Sequence, residues 1–283
     1  MELVAGAKMR RAVERALQSR QYTLLTWQLA QRLSKSRAVP TSDYLARFFH
    51  PVSAPRKYLL IAFSSNRGLC GAYHSNILRK VLAFVRDKGV ENVEVVAIGK
   101  RLVSALSLYG VKPSMAYVKD ESAKDGSSMV TVAAYAYNAF KSNQVQAVYL
   151  AYSQFKSAIA QEAVLRPLFP FSLEESVFAD VAGLKPKKDV PLETIRPEQS
   201  YTYEPGKRTV LSYLIPRLGQ AQLYQALVES NAAEHSARMM AMKNATDAAS
   251  DMLADLLLQY NRARQAGITQ EIAEISAGTA ALT

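Results

Sequence analysis

Along this chain the spacing of apolar positions changes twice, and the changes mark three regions. From Ala7 to Val39 there is neither Gly nor Pro, and Pro40 closes the run. Ala5 and Ala12, and then Met9, Ala16, Thr23 and Ala30, recur at seven-residue intervals, the seam period of a coiled coil. At the other end Gln220 to Ala266 is again free of Gly and Pro. As a single helix it would span roughly 70 Å at about 1.5 Å per residue, far beyond an ordinary globular helix. Its apolar stripe is built from small side chains: Ala237, Ala241, Ala245, Ala248, Met252, Leu256 and Ala263. Many of these lie eleven apart, a period of about 3.67. Small residues on a seam let a second helix approach closely. The two terminal stretches are therefore expected to pair antiparallel, with their stem at whatever lies between them. A core helix of a bundle is the plainer alternative.

The middle changes character. Tyr58–Ser64, Val93–Ile98 and Val145–Ala151 are short apolar runs rich in branched residues, suited to buried parallel strands. Helical stretches lie between them at Ser75–Asp87, Lys100–Tyr109 and about 127–141. Strand alternating with helix implies an α/β sheet between helical layers. Ser153–Phe171 reads as one or two further strands broken at Pro167 and Pro170, and 172–200, with Pro186, Pro191 and Pro197, as a connecting or partly mobile segment. Pro216 is expected to kink or restart the last helix. The expected fold is a long antiparallel coiled coil of N- and C-terminal helices attached to a Rossmann-like α/β domain. Its divisions are an N-terminal shaft helix (1–56), the α/β domain (57–200) and a C-terminal shaft helix (201–283).

Charge adds one fact. The net charge of +11 is concentrated early, where residues 1–56 carry ten Lys/Arg against three acids, and Lys8, Arg10, Arg11, Arg15 and Arg20 fall mostly off the seam, on a face expected to be solvated. A basic helix suits an acidic partner: nucleic acid, a membrane surface or an acidic protein segment. No apolar run approaches the ~20 residues of a membrane-spanning helix, and no signal-peptide pattern opens the chain. Cys70 is the only cysteine, so no disulfide framework exists within the chain, which fits a reducing compartment.

A search for chemistry finds little. There is no GxxxxGK[ST] loop. Asn66-Arg67-Gly68-Leu69-Cys70-Gly71 follows the first strand and precedes a helix. A phosphate-binding turn is conceivable there, but the three-glycine spacing is lacking and a structural turn fits better. His50, His74 and His235 stand apart, none with a second ligand at metal-site spacing. Cys70 has no base assigned to it and reads as a packed thiol. Glu174 and Glu175 read as solvated. No cofactor and no active site are expected, which leaves a mechanical or adaptor role by elimination.

The residues also carry a resemblance. Met1-Glu2-Leu3-Val4-Ala5-Gly6-Ala7-Lys8-Met9-Arg10, the turn Ser64–Gly71 and Tyr201-Thr202-Tyr203-Glu204-Pro205 look like segments of the gamma subunit of rotary proton-translocating ATP synthases. So do Glu234–Thr246 and Tyr260–Gly278, the latter holding NRxRQAxIT followed by ExxExxxG. In that family the terminal helices form an asymmetric shaft inside a hexamer of alternating alpha and beta subunits. The shaft carries torque between the catalytic beta subunits and a membrane ring of c subunits. The resemblance implies that Arg264 and Gln265 engage a beta-subunit loop as a catch. Arg238, Thr269 and Glu271 match positions tied to coupling, and Met1 a shaft position facing an acidic lever of beta. Tyr201 and Glu204 match the foot that touches the c-ring and the epsilon subunit. It implies a peripheral place on a membrane complex, at the cytoplasmic face of a bacterial membrane or the matrix face of an organelle, with no direct membrane insertion.

Departures from the family pattern are few. A further helical segment normally precedes the position of Met1, so that either the start lies too late or the upper shaft is a single helix. An acidic residue often stands where Asn66 is, and Ala usually stands where Thr279 is. No cysteine-bearing insertion of the chloroplast kind is present. Two other readings remain open: a helical hairpin protein gripping nucleic acid through its basic helix, and a small-molecule enzyme on the α/β domain. The first wants aromatics among the basic residues, and 8–20 contain none. The second wants a convergent polar pocket.

Overall fold

The computed structural model describes residues 1–35, 43–50, 57–123, 126–171 and 202–281. The segment 172–200, Tyr201 and the end of the first Gly- and Pro-free run lie outside the described residues. Two long helices frame the chain, α1 (Glu2–Lys35) and the C-terminal helix (Lys207–Ala281). Between them come strands β1 (Lys57–Phe63), β2 (Val93–Ile98), β3 (Met115–Tyr117), β4 (Val145–Phe155) and β5 (Gln161–Phe169). Helices α2 (Tyr73–Lys88), α3 (Lys100–Leu108) and α4 (Val130–Lys141) connect them, so the last helix is α5.

The sheet order is β3-β2-β1-β4-β5, parallel except for the β4–β5 hairpin. Successive side chains of a strand point to opposite faces, and the cores follow that alternation. Leu59, Ile61 and Phe63 of β1 join Val148, Leu150 and Tyr152 of β4 in one cluster with α1, α4 and α5. Leu60 and Ala62 join the other, with Ile77 and Val81 of α2 and Leu102 and Leu106 of α3. Both faces of the sheet are therefore covered, as parallel strands require.

α1 and α5 run antiparallel. The seam of α1 is as expected, with Ala5, Ala12, Ala16, Thr23 and Ala30 buried. Trp27 and Leu33 add bulk where α1 meets the sheet core.

The structure corrects four expectations. α5 runs unbroken through Pro216, because the turns around the proline are held by packing of Leu211, Ile215 and Leu218. Pro167 lies inside β5 instead of breaking it. β5 is an edge strand with a register shift opposite Val148/Tyr149, the setting in which a strand tolerates a missing N–H. Ala245, Ala248, Met252, Leu256 and Ala263 are exposed instead of packed on a paired seam; where Met1, Glu2 and Leu3 come beside Met242, Ala245 and Ala249 an open groove remains. Fourth, Arg20 turns inward instead of sitting on the solvated basic face.

Two glycines permit close approaches. At Gly99, with φ +111°, a Cβ would meet the Ser64 carbonyl carbon at 2.8 Å, where the β2–α3 turn presses on the end of β1. At Gly219 of α5 a Cβ would lie 2.7 Å from Phe169 Cζ, so α5 can lie directly on β5.

Candidate functional site

In an open α/β sheet a ligand binds at the carboxyl ends of the strands, where the strand order reverses. Here the reversal falls between β1 and β4. That crevice is crossed by the chain itself. Cys70 and Tyr73, from the turn after β1 and the start of α2, pack with Phe155 at the end of β4 and with Ala233 and Ala237 of α5. The shaft helix lies across the place a ligand would take, and beside it Cys70, Tyr73, Ser153, Ala237 and Ala241 border an open groove between the domain and the shaft.

Charged and polar groups from α2, α5 and the segment past β3 meet at this seat. Lys119, just past β3, has a side chain with 0% exposure, and Glu234 of α5 has 1%. Lys119 Nζ donates to Glu234 Oε2 at 2.9 Å and to the Tyr73 hydroxyl at 3.3 Å. The other carboxylate oxygen accepts from Arg238 Nη2 at 2.8 Å, and Arg238 Nε reaches the Gly68 carbonyl at 3.3 Å. Burial pushes the Glu234 carboxyl up, but Lys119 and Arg238 more than offset it and hold it below the usual range. Burial likewise opposes the Lys119 ammonium, and Glu234 and Tyr73 reverse the sign, so its pKa is raised. Both groups stay charged. Asn66 fixes the Lys119 backbone, its Nδ2 donating to the Lys119 carbonyl at 2.8 Å and its Oδ1 accepting from the Lys119 N–H at 3.1 Å.

Cys70 has a neighbour that the sequence reading did not assign. His74 Nε2 is 3.0 Å from Cys70 Sγ, and Nδ1 is 3.0 Å from Ser64 Oγ. The spacing of four residues at a helix start was the available signal. Burial raises the thiol pKa and lowers that of the imidazole, so both are neutral. A neutral thiol beside a neutral imidazole is packing, not an activated nucleophile.

Of the partner-contact residues that the resemblance implies, only Arg238 belongs to this seat. Met1 is 80% exposed at the top of α1. Arg264, Gln265, Thr269 and Glu271 lie together on the bare upper part of α5, exposed, some 40 Å above Arg238 at about 1.5 Å per residue. Thr269 Oγ1 donates to the Gln265 carbonyl at 2.8 Å. Glu204 is exposed in the bend before α5, and Tyr201 lies outside the described residues. Around the four, Met252, Leu253, Leu256, Tyr260, Ile268, Ile272 and Ile275 are about half exposed or more. Apolar surface of that extent marks a partner interface.

The basic helix is not a free cationic stripe. Lys8 pairs with Glu121 at 3.5 Å, Arg15 bonds the Ser122 carbonyl, and Arg20 pairs with the buried Glu229 at 3.2 Å. These cations are partly spent within the chain, against the nucleic-acid reading. Among the described residues no cluster of His, Cys, Asp or Glu could hold a metal ion.

Comparison with known proteins agrees with this geometry. A family model described as ATP synthase matches residues 1–282. An ATP synthase gamma chain from Anaeromyxobacter dehalogenans (strain 2CP-C) is 35% identical, the match covering 100% of this chain and 92% of the relative. One from Chloroflexus aurantiacus (strain ATCC 29366 / DSM 635 / J-10-fl) is 33% identical with the same coverage. Among solved structures, the fold resembles a chain of the Tetrahymena thermophila mitochondrial ATP synthase central stalk and c-ring, with TM-score 0.57 and 23% identity over 87% of this chain and 97% of that one. A chain of the Euglena gracilis mitochondrial ATP synthase matches with TM-score 0.55 and 16% identity over 99% of this chain and 94% of that one.

Proposed function

The chain belongs to the ATP synthase gamma-chain family and is a non-catalytic subunit of the central stalk, and from this we propose how its parts share the work. The upper part of α5 turns inside a hexamer of alpha and beta subunits. The α/β domain and the bend at Glu204, with Tyr201, face the c-ring and the epsilon subunit. Torque passes between the two ends and couples proton flow to ATP synthesis or hydrolysis. The observation that carries this is the bare upper half of α5, whose apolar side chains stand in solvent on a rod held firmly only at its base.

Within that frame Arg264 and Gln265 act as a catch on a beta-subunit loop. A guanidinium presents a planar fork to carboxylates, and a Gln amide both donates and accepts. Contacts of this kind are directional and short in range, so they can form with one subunit and release as the rod turns. Thr269 and Glu271 lie within two turns of the catch and Arg238 at the seat, positions suited to coupling. Met1 stands where α1 ends beside α5, facing an acidic lever of beta. The subunit sits on a membrane complex without entering the bilayer, at the cytoplasmic face of a bacterial membrane or the matrix face of an organelle. Among the described residues no helix is long and apolar enough to cross a membrane.

The test is reconstitution. The chain should co-purify with an alpha/beta hexamer, and proton pumping by the complete complex should depend on it. A hexamer that neither retains the chain nor changes with it would end the reading.

A further inference from the structure

A rod that carries torque must not spin on its mount. Around Glu234 α5 presents Ala232, Ala233 and Ala237, small side chains that offer little shape to resist rotation, its larger apolar side chains from Leu211 to Val228 packing earlier along the helix. The buried groups beside them do resist it. A buried ion pair contributes little net stability, because desolvation offsets its Coulombic gain, and its best-attested use is to fix register. Rotating α5 by even one residue, about 100°, would carry the Glu234 carboxylate away from Lys119 and leave the buried ammonium without its partner.

We propose that Lys119 and Glu234 are positioning residues that lock the rotational register of α5 on the α/β domain, so that torque entering at the domain reaches the upper rod. This rests on the shaft reading above. The lock is braced on both sides. Asn66 holds the Lys119 backbone, and the Tyr73 hydroxyl that receives Lys119 is itself 2.6 Å from Ser230 Oγ, one turn below Glu234 on α5. Asn231 Nδ2 donates to the Asp120 carbonyl at 2.9 Å, tying the residue next to Lys119 to the same helix. Four polar side chains of α5, Ser230, Asn231, Glu234 and Arg238, thus engage the domain within little more than two helical turns. A second buried carboxylate, Glu229, lies five residues before Glu234, about 140° around the helix. It is held by Arg20 of α1. α5 is therefore gripped from the domain on one side and from α1 on the other.

The experiment compares wild-type, Lys119→Met, Glu234→Gln and Tyr73→Phe chains in the complete reconstituted complex, reading ATP hydrolysis, proton pumping and subunit stoichiometry. A merely structural role would lower assembly, hydrolysis and pumping together. A lost lock lowers pumping per ATP hydrolysed. For the first two variants that ratio should fall by about fivefold or more, the lower end of measured coupling between sites. Tyr73→Phe, which keeps the ring and both charges, should lower it measurably but less. An unchanged ratio in assembled Lys119→Met and Glu234→Gln complexes would overturn the proposal. Should those two fail to assemble, an unchanged ratio for Tyr73→Phe would do the same. A wild-type chain that confers no pumping would instead remove the shaft reading itself.

Discussion

Arg20 of α1 and Glu229 of α5 meet at 3.2 Å with the carboxylate fully buried. Gln225 Nε2 donates to the same oxygen at 2.7 Å, while Oε2 has no hydrogen-bond partner among the described residues. Burial raises the Glu229 pKa in spite of the guanidinium. Removing one partner of such a pair leaves a buried charge uncompensated, at a cost of roughly 3–5 kcal/mol. Arg20→Met should therefore lower stability strongly at pH 7, and less at mildly acid pH, where Glu229 can take a proton. Urea unfolding at the two pH values checks this. Arg20→Met with Glu229→Leu should recover much of the loss.

His235 gives a second pH dependence. It is buried on α5 beside Glu234, Arg238, Lys119 and Lys8, and burial first, then those cations, pushes its pKa down from 6.5 to about 4, although Glu234 pulls the other way. The unfolded chain therefore binds a proton below pH 6.5 that the folded chain refuses until about pH 4. Stability is full above the first value and falls as pH drops between the two. At about 1.36 kcal/mol per unit, the loss is on the order of 3 kcal/mol. His235→Gln should flatten that part of the stability-against-pH curve, measured by denaturant titration.

The catch makes a prediction about rate. Arg264 and Gln265 are exposed, and among the described residues Arg264 forms no ion pair. Arg264→Ala with Gln265→Ala should leave folding unchanged and lower turnover or coupling of the reconstituted complex. A charged hydrogen bond is worth roughly 1.5–3 kcal/mol, enough for about tenfold or more in rate if expressed only at the barrier. Wild-type hydrolysis and pumping by a normally assembled double variant would rule the catch out.

Gly219 tests the seat from the packing side. Alanine there gains helix propensity of about 0.5–1 kcal/mol. Against this, its Cβ would lie 2.7 Å from Phe169 Cζ, and that ring is itself buried among Phe48, Phe140 and Phe171. Overpacking of this kind costs about 1–3 kcal/mol. Gly219→Ala should therefore lower the thermal midpoint, and Gly219→Val lower it further.

The two terminal helices were legible from a period sustained over many residues, β1, β2 and β4 from short apolar runs rich in branched residues, and β5 falls within the stretch Ser153–Phe171 read as one or two further strands. β3, only three residues long, has no period to read, and its position at the sheet edge hides Lys119. The seat itself was not legible. Lys119 and Glu234 are 115 residues apart, and neither stands in a motif that names the other. Arg20 looked like one more member of a solvated basic face, because sequence spacing does not reveal a buried carboxylate on the opposing helix. Conversely, the exposed residues of upper α5 looked like a paired seam, since periodicity records the presence of a stripe and not which molecule covers it.

The antiparallel pairing of the first helix with the last has a consequence for biosynthesis. During translation α1 and the sheet emerge well before Lys207, yet the apolar side of the sheet and the seam of α1 are finally covered by residues such as Leu211, Leu223 and Leu227. The nascent chain must therefore carry an open oily surface until its final segment leaves the ribosome. Such surfaces invite association with other chains, so maturation of this subunit is governed by when its tail arrives, and a prematurely truncated product should be retained by chaperones and cleared by proteases.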